Sequence, residues 1–147
     1  MEVRAIWQGG RAFEAKGPSG YPMTMDATPN YGGEGQAPTP TEMLLSALAG
    51  CIGIDVTMIL KPHLEKIKSI EIIVNGSRRE ELPTAFTAAE LLFDVKGDID
   101  AKKVVRAIKL GEEKYCAVSA SLKADITHRL ILNDEEIDLQ GKQHSLQ

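Results

Sequence analysis

The chain has 147 residues, with 17 Lys and Arg against 21 Asp and Glu and a formal net charge of −4. That length fits one domain or one protomer of a small oligomer, and the acidic balance without a basic cluster argues against a nucleic-acid partner. No basic region followed by an apolar run opens the chain, so no secretory signal is expected, and two cysteines in such a chain point to a reducing, cytoplasmic setting.

Residues 3–8 (VRAIWQ) read as a strand, Gly9-Gly10 as a two-residue hairpin turn, and residues 11–16 (RAFEAK) as the return strand. A second turn at residues 17–20 leads to a third strand at 21–27, where Pro22 suits an edge. A Gly/Pro-rich loop without periodicity follows at 28–38 (TPNYGGEGQAP), of the kind that often carries function. Thr39-Pro40-Thr41-Glu42 then forms a capping box, with Thr39 as N-cap, Pro40 at the first helical position and Glu42 at the third. It opens a long apolar helix over 40–61. Apolar residues fill nearly every turn, which predicts a central helix buried all round. The helix is short for a bilayer, polar at its ends and carries Asp55, so no membrane span is expected.

Pro62 closes that helix, and the β-branched run at 67–79 reads as a strand. By propensity, residues 85–96 (AFTAAELLFDVK) fit a strand or a helix; pairing with the preceding strand across a short Pro-containing turn favours a strand. Asp100 is a good N-cap for a helix at 101–114, a short helical segment follows at 116–122, and a last strand at 124–132 places Ala124, Ile126, His128 and Leu130 on one face. The tail after 139 reads as frayed. The whole is one α+β domain over 1–147. A three-strand meander (3–27) precedes the central helix (40–61) and a C-terminal ββααβ unit (67–132). The order is βββ-α-ββ-αα-β with antiparallel pairing.

Cys51 and Asp55 stand one turn apart on the central helix. Cys51 fits two readings, a small buried hydrophobe or a nucleophile. A thiol in an apolar helix should have its pKa raised by burial, and an ionised Asp55 would raise it further. It can therefore react only with a compensating cation, and an arginine is the natural one. Glu42 fits a capping role, a site role or both; Asp55 fits a structural acid or a site residue; His128 reads as structural. His63, His128 and His144 lie far apart, with no HxxxH or CxxC spacing, so neither a metal site nor a cofactor is expected.

Pro40-Thr41-Glu42-Met43-Leu44-Leu45, Ala47-Leu48-Ala49-Gly50-Cys51 and Cys116-Ala117-Val118-Ser119 resemble the motifs of the OsmC/Ohr family, osmotically induced and organic-hydroperoxide-resistance proteins. The stretch around Cys51 looks most like a less-studied branch, and the second motif has Ala117 where proline is usual. The resemblance implies an OsmC-like fold and an intertwined homodimer with two sites at its interface. It implies a thiol peroxidase acting on organic hydroperoxides, with Cys51 attacking, Cys116 resolving to a disulfide, Glu42 and Arg11 completing the site, and an external thiol as reductant. Arg11 matches through Gly9-Gly10-Arg11. Glu42 and Cys51 are nine residues apart, about 13–14 Å of rise and half a turn of rotation, so for both to serve one site either an intervening arginine bridges them or Glu42 comes from the partner chain; the second is expected, with Arg11 and Glu42 of one chain facing Cys51 and Cys116 of the other. The alternative is a non-catalytic dimer that binds a small apolar molecule or senses redox state.

Overall fold

The structure, a computed structural model, describes residues 1–139; the tail expected to fray lies outside them. The chain divides into two compact units, Met1–Leu45 and the remainder from Ser46, with the boundary inside the long helix.

In the first unit, β1 (Arg4–Gly9), β2 (Ala12–Lys16) and β3 (Pro22–Met25) form an antiparallel sheet in sequence order. The hairpin turn differs by one residue from the expected one. Gly9 pairs with Ala12, and the register shifts between Trp7 and Gly9. The turn is therefore Gly10-Arg11, with Gly9 (φ 100°) absorbing the bulge and Gly10 (φ 53°) the left-handed first turn position. The loop after β3 doubles back, so that the Asp26 amide donates to the Pro38 carbonyl at 3.2 Å. Gly33 is required there, because a Cβ would fall 1.9 Å from the Ala27 carbonyl oxygen.

In the second unit, β4 (Ile67–Arg78), β5 (Phe86–Gly97), β6 (Asp125–Leu132) and β7 (Glu135–Ile137) form a sheet in that order. Every second residue of β5 is buried, from Ala89 through Leu91, Phe93 and Val95. This period of two settles the strand reading of a segment whose composition fits either state. At its end Gly97 (φ 153°) packs so tightly that a Cβ would lie 2.3 Å from the Lys66 carbonyl oxygen. The expectation of antiparallel pairing throughout is corrected: β5 and β6 run parallel. The two helical segments between them form a crossover, which returns the chain to the end of the sheet from which β5 started. The short β7, unforeseen, pairs antiparallel with β6.

The long helix, α1, runs from Pro40 to Ile59, and a 3-10 turn at Lys61–Lys66 takes the rest of the expected span. It is not buried all round: Leu48, Ile52 and Val56 are buried, whereas Ile54 is 62% and Met58 68% exposed. Residues four apart share one face, so one stripe suffices for the core, and the opposite apolar face is left open. By length and mean hydropathy the helix could cross a membrane, yet the Leu48–Ile52–Val56 stripe joins Leu91, Phe93 and Ile108 in one buried core. Asp100 caps α2 (Ala101–Leu110), accepting the Lys102 amide at 2.8 Å. The expected helix to residue 114 ends early. A π-helical turn at Gly111–Tyr115 follows, and then α3 (Ala117–Ser121).

Candidate functional site

Cys51 and Asp55 form a second stripe on α1, one position round from Leu48–Ile52–Val56, at the margin of the core. The π-helical turn meets α1 there. A Cβ on Gly111 would lie 3.5 Å from Ile52, 3.6 Å from Asp55 and 3.7 Å from Val56. The turn is closed by the Cys116 amide donating to the Gly111 carbonyl at 2.8 Å. It carries one residue more than an α-helical turn, and such insertions often sit at functional sites. Cys116, 2% exposed, follows as the N-cap of α3, where its sulfur accepts the Ser119 amide at 3.3 Å. Ala117 takes the first helical position of α3, a slot in which proline is also favoured.

The result is a cluster. The sulfurs of Cys51 and Cys116 and a carboxylate oxygen of Asp55 all lie within 4.8 Å of one another. The Val118 amide hydrogen-bonds Cys51 and favours its thiolate, but burial, the Cys116 thiol and the Asp55 charge together outweigh it and push the Cys51 pKa up. Asp55 Oδ2 is buried with no hydrogen-bond partner among the described residues.

The same π-helical turn also meets β6: the His128 side chain is 3% exposed, with Nδ1 2.9 Å from Glu112 Oε2. Burial lowers the His128 pKa to about 4, so a neutral imidazole donates from Nδ1 to Glu112 while Nε2 has no partner among the described residues. Burial, and then repulsion from Glu113, raises the Glu112 pKa. This pair ties the π-helical turn to β6, as suits a structural histidine.

Glu42 and Arg11 belong to the first unit. Glu42 sits in the first turn of α1, where Oε2 accepts the Thr39 amide at 2.7 Å and the Thr39 hydroxyl at 2.8 Å, and the Glu42 amide donates back to that hydroxyl at 3.2 Å. The capping box forms as expected. The Thr39 amide, then its hydroxyl, holds the Glu42 carboxyl below its ordinary pKa against a smaller opposing effect of burial. The Arg11 guanidinium lies over the Gly-rich loop, with Nε 3.6 Å from where a Gly32 Cβ would stand.

That loop is organised by Asp26, which the sequence reading passed over. Its carboxylate accepts the amides of Ala27 at 2.8 Å, Glu34 at 3.1 Å and Gln36 at 3.4 Å. Burial opposes the charge, but the amides of Ala27, Gln36, Glu34 and Gly35 outweigh it and the pKa falls. An Asp at the mouth of a Gly-rich segment is the available sequence signal, since Asp readily hydrogen-bonds amides a few residues on.

The family model described as OsmC-like protein matches residues 33–131, a span that contains Glu42, Cys51 and Cys116 but not Arg11. Protein YhfA of Escherichia coli K12 is 39% identical over 131 residues, 87% of this chain and 95% of its own. A hypothetical protein from Aquifex aeolicus is similar in structure, with TM-score 0.73, 30% identity and coverage of 90% of this chain and 96% of its own. An organic hydroperoxide resistance protein from Legionella pneumophila shares the fold, with TM-score 0.61, 14% identity and coverage of 89% and 94%.

Proposed function

This chain belongs to the OsmC-like protein family, and from that premise we propose that it is a cytoplasmic, homodimeric thiol peroxidase that reduces organic hydroperoxides. The observation that carries the reading is the pair of thiols, drawn from positions 51 and 116 to within 4.8 Å, close enough for a small side-chain rearrangement to join them at the ~2.05 Å of a disulfide. The Legionella neighbour, named for hydroperoxide resistance, supports the choice of substrate class.

In this mechanism the Cys51 thiolate attacks the terminal peroxide oxygen. The O–O bond breaks, the alkoxide leaves and takes a proton to become the alcohol, and Cys51 becomes a sulfenic acid. The Cys116 thiolate then attacks the Cys51 sulfur, the sulfenic oxygen leaves as water, and a disulfide forms. An external dithiol supplies two electrons and two protons to restore both cysteines. Because the Cys51 pKa is raised within its own chain, the attacking thiolate needs a cation. We assign that role to Arg11, oriented by the anionic Glu42, both contributed by a second copy. The open apolar face of α1 around Ile54 and Met58, with the exposed Ile6 and Trp7 of β1, favours such a copy, since apolar surface of this kind gains from burial. No nucleic acid, membrane or cofactor takes part.

The test is hydroperoxide consumption with a dithiol reductant. Wild type should turn over, Cys51→Ser should be inactive, and Cys116→Ser should stop after one oxidation. Turnover surviving in Cys51→Ser would overturn the assignment, and so would a fully active monomer in sedimentation. The raised Cys51 pKa is the observation that favours a second reading, a dimer that binds a small apolar molecule through an inert site. Iodoacetamide separates the two: rapid alkylation of Cys51 near neutral pH supports the peroxidase, and alkylation only after denaturation supports the binding protein.

A further inference from the structure

We propose that the reduced cluster of Cys51, Asp55 and Cys116 is a binding site for a thiophilic divalent cation of the zinc or cadmium class. The ligand set comes from the tertiary structure, since no sequence spacing announces it. Two sulfurs and one carboxylate oxygen lie within 4.8 Å of one another. Around a tetrahedral ion with metal–sulfur bonds of about 2.3 Å, ligand sulfurs stand ~3.8 Å apart, so a modest contraction suffices. Two soft donors with one oxygen select zinc or cadmium over magnesium or calcium, and three protein ligands leave a fourth position for water.

Three further observations point to a cation. Asp55 Oδ2 is sealed from solvent without a hydrogen-bond partner among the described residues, and an ion would satisfy it. The Val118 amide donates to Cys51 and the Ser119 amide donates to Cys116 at 3.3 Å, the amide support that metal-bound thiolates receive from their surroundings. The two cysteines stand on separate elements, one mid-helix and one at an N-cap, so side-chain rotation can close the site with both backbones in place.

The inference stands apart from turnover, because it needs only the reduced thiols. Its consequence for regulation does rest on the peroxidase reading: coordination lowers the nucleophilicity of both thiolates, so the ion slows the enzyme reversibly.

The experiment is a cadmium titration of reduced, oxygen-free protein, followed by the thiolate-to-cadmium absorbance in the near ultraviolet. The chain has only two cysteines, so the band has no other source. We expect saturation at one ion per chain, no band in oxidised wild type, and its return on reduction. Asp55→Asn should keep the band but hold the ion about tenfold or more weakly against a competing chelator. No band in reduced wild type overturns the site without reliance on any variant, and so does Asp55→Asn binding as tightly as wild type. A final arm adds cadmium to the hydroperoxide assay and then chelator. Failure of wild type to consume peroxide in the metal-free control overturns the peroxidase reading, while the titration decides the site independently.

Discussion

Asp26 is buried and Asp55 is half-buried with one carboxylate oxygen sealed from solvent, and the surroundings of the two are opposite. Asp26 gathers the amides of its own loop, so its charge is distributed over several donors, and the result is a shaped loop. Asp55 has a buried oxygen without a partner among the described residues and two thiols beside it. A satisfied buried carboxylate holds structure together; an unsatisfied one lowers stability and persists where a ligand or a reaction uses it. The first region is shaped by a satisfied carboxylate; the second brings two thiols and a carboxylate together with one oxygen unsatisfied among the described residues.

The largest effect on stability should follow from breaking the first member of the comparison. Asp26→Ala leaves several amides of residues 27–36 without their acceptor, so thermal unfolding should come several degrees earlier and proteolysis should cut within 28–38. An unchanged melting temperature with a protected loop would remove Asp26 as its organiser. The sign with pH follows: the folded pKa of Asp26 lies below its ordinary value, so its stabilisation is complete at neutral pH and is lost as pH falls through the carboxylate range.

His128, in the second unit, gives the next effect. Its folded pKa of about 4, against an ordinary 6.5, means that the fold holds the neutral imidazole while the unfolded chain takes up the proton. Stability is therefore intact above pH 6.5 and declines towards pH 4, by about 2–3 kcal/mol. Glu112, raised by burial, works in the opposite sense and offsets part of this. Denaturant titrations at pH 7 and pH 4.5 should show the loss in wild type and a flattened profile in His128→Leu; equal slopes in the two proteins would refute the assignment.

A smaller loss, about 1 kcal/mol, is expected from Thr39→Ala, which removes the hydroxyl that caps the Glu42 amide; it is read from the denaturant midpoint. The smallest is Asp55→Asn. Because one of its oxygens has no partner among the described residues to lose, stability should stay within about 0.5 kcal/mol of wild type or rise, while cadmium affinity falls. A large destabilisation would make Asp55 structural after all and erase the contrast with Asp26.

Much of the fold was legible in local patterns. The capping box at Thr39–Glu42, the N-cap at Asp100 and the strand alternation of β6 are short-range features, because each depends on residues within one or two turns or pleats of each other. The readings that failed needed information from elsewhere in the chain. The Gly9-Gly10 turn slipped by one because a bulge can absorb one residue of the hairpin. The parallel β5–β6 pairing depends on how the crossover packs, and the burial of α1 depends on what faces it.

The sequence alone determined the α+β class, the order of the main elements, the two cysteines as the reactive candidates and the family they resemble, since these rest on residue identity and short spacing. Only the tertiary structure decided that Cys51, Asp55 and Cys116 form one cluster, that a π-helical turn precedes Cys116 and that Asp26 holds the loop. These contacts join side chains and amides across folded segments, and local sequence patterns alone do not specify the distances between them. The physical reason is that propensity is a property of neighbours, whereas a site is a property of the elements that packing brings together.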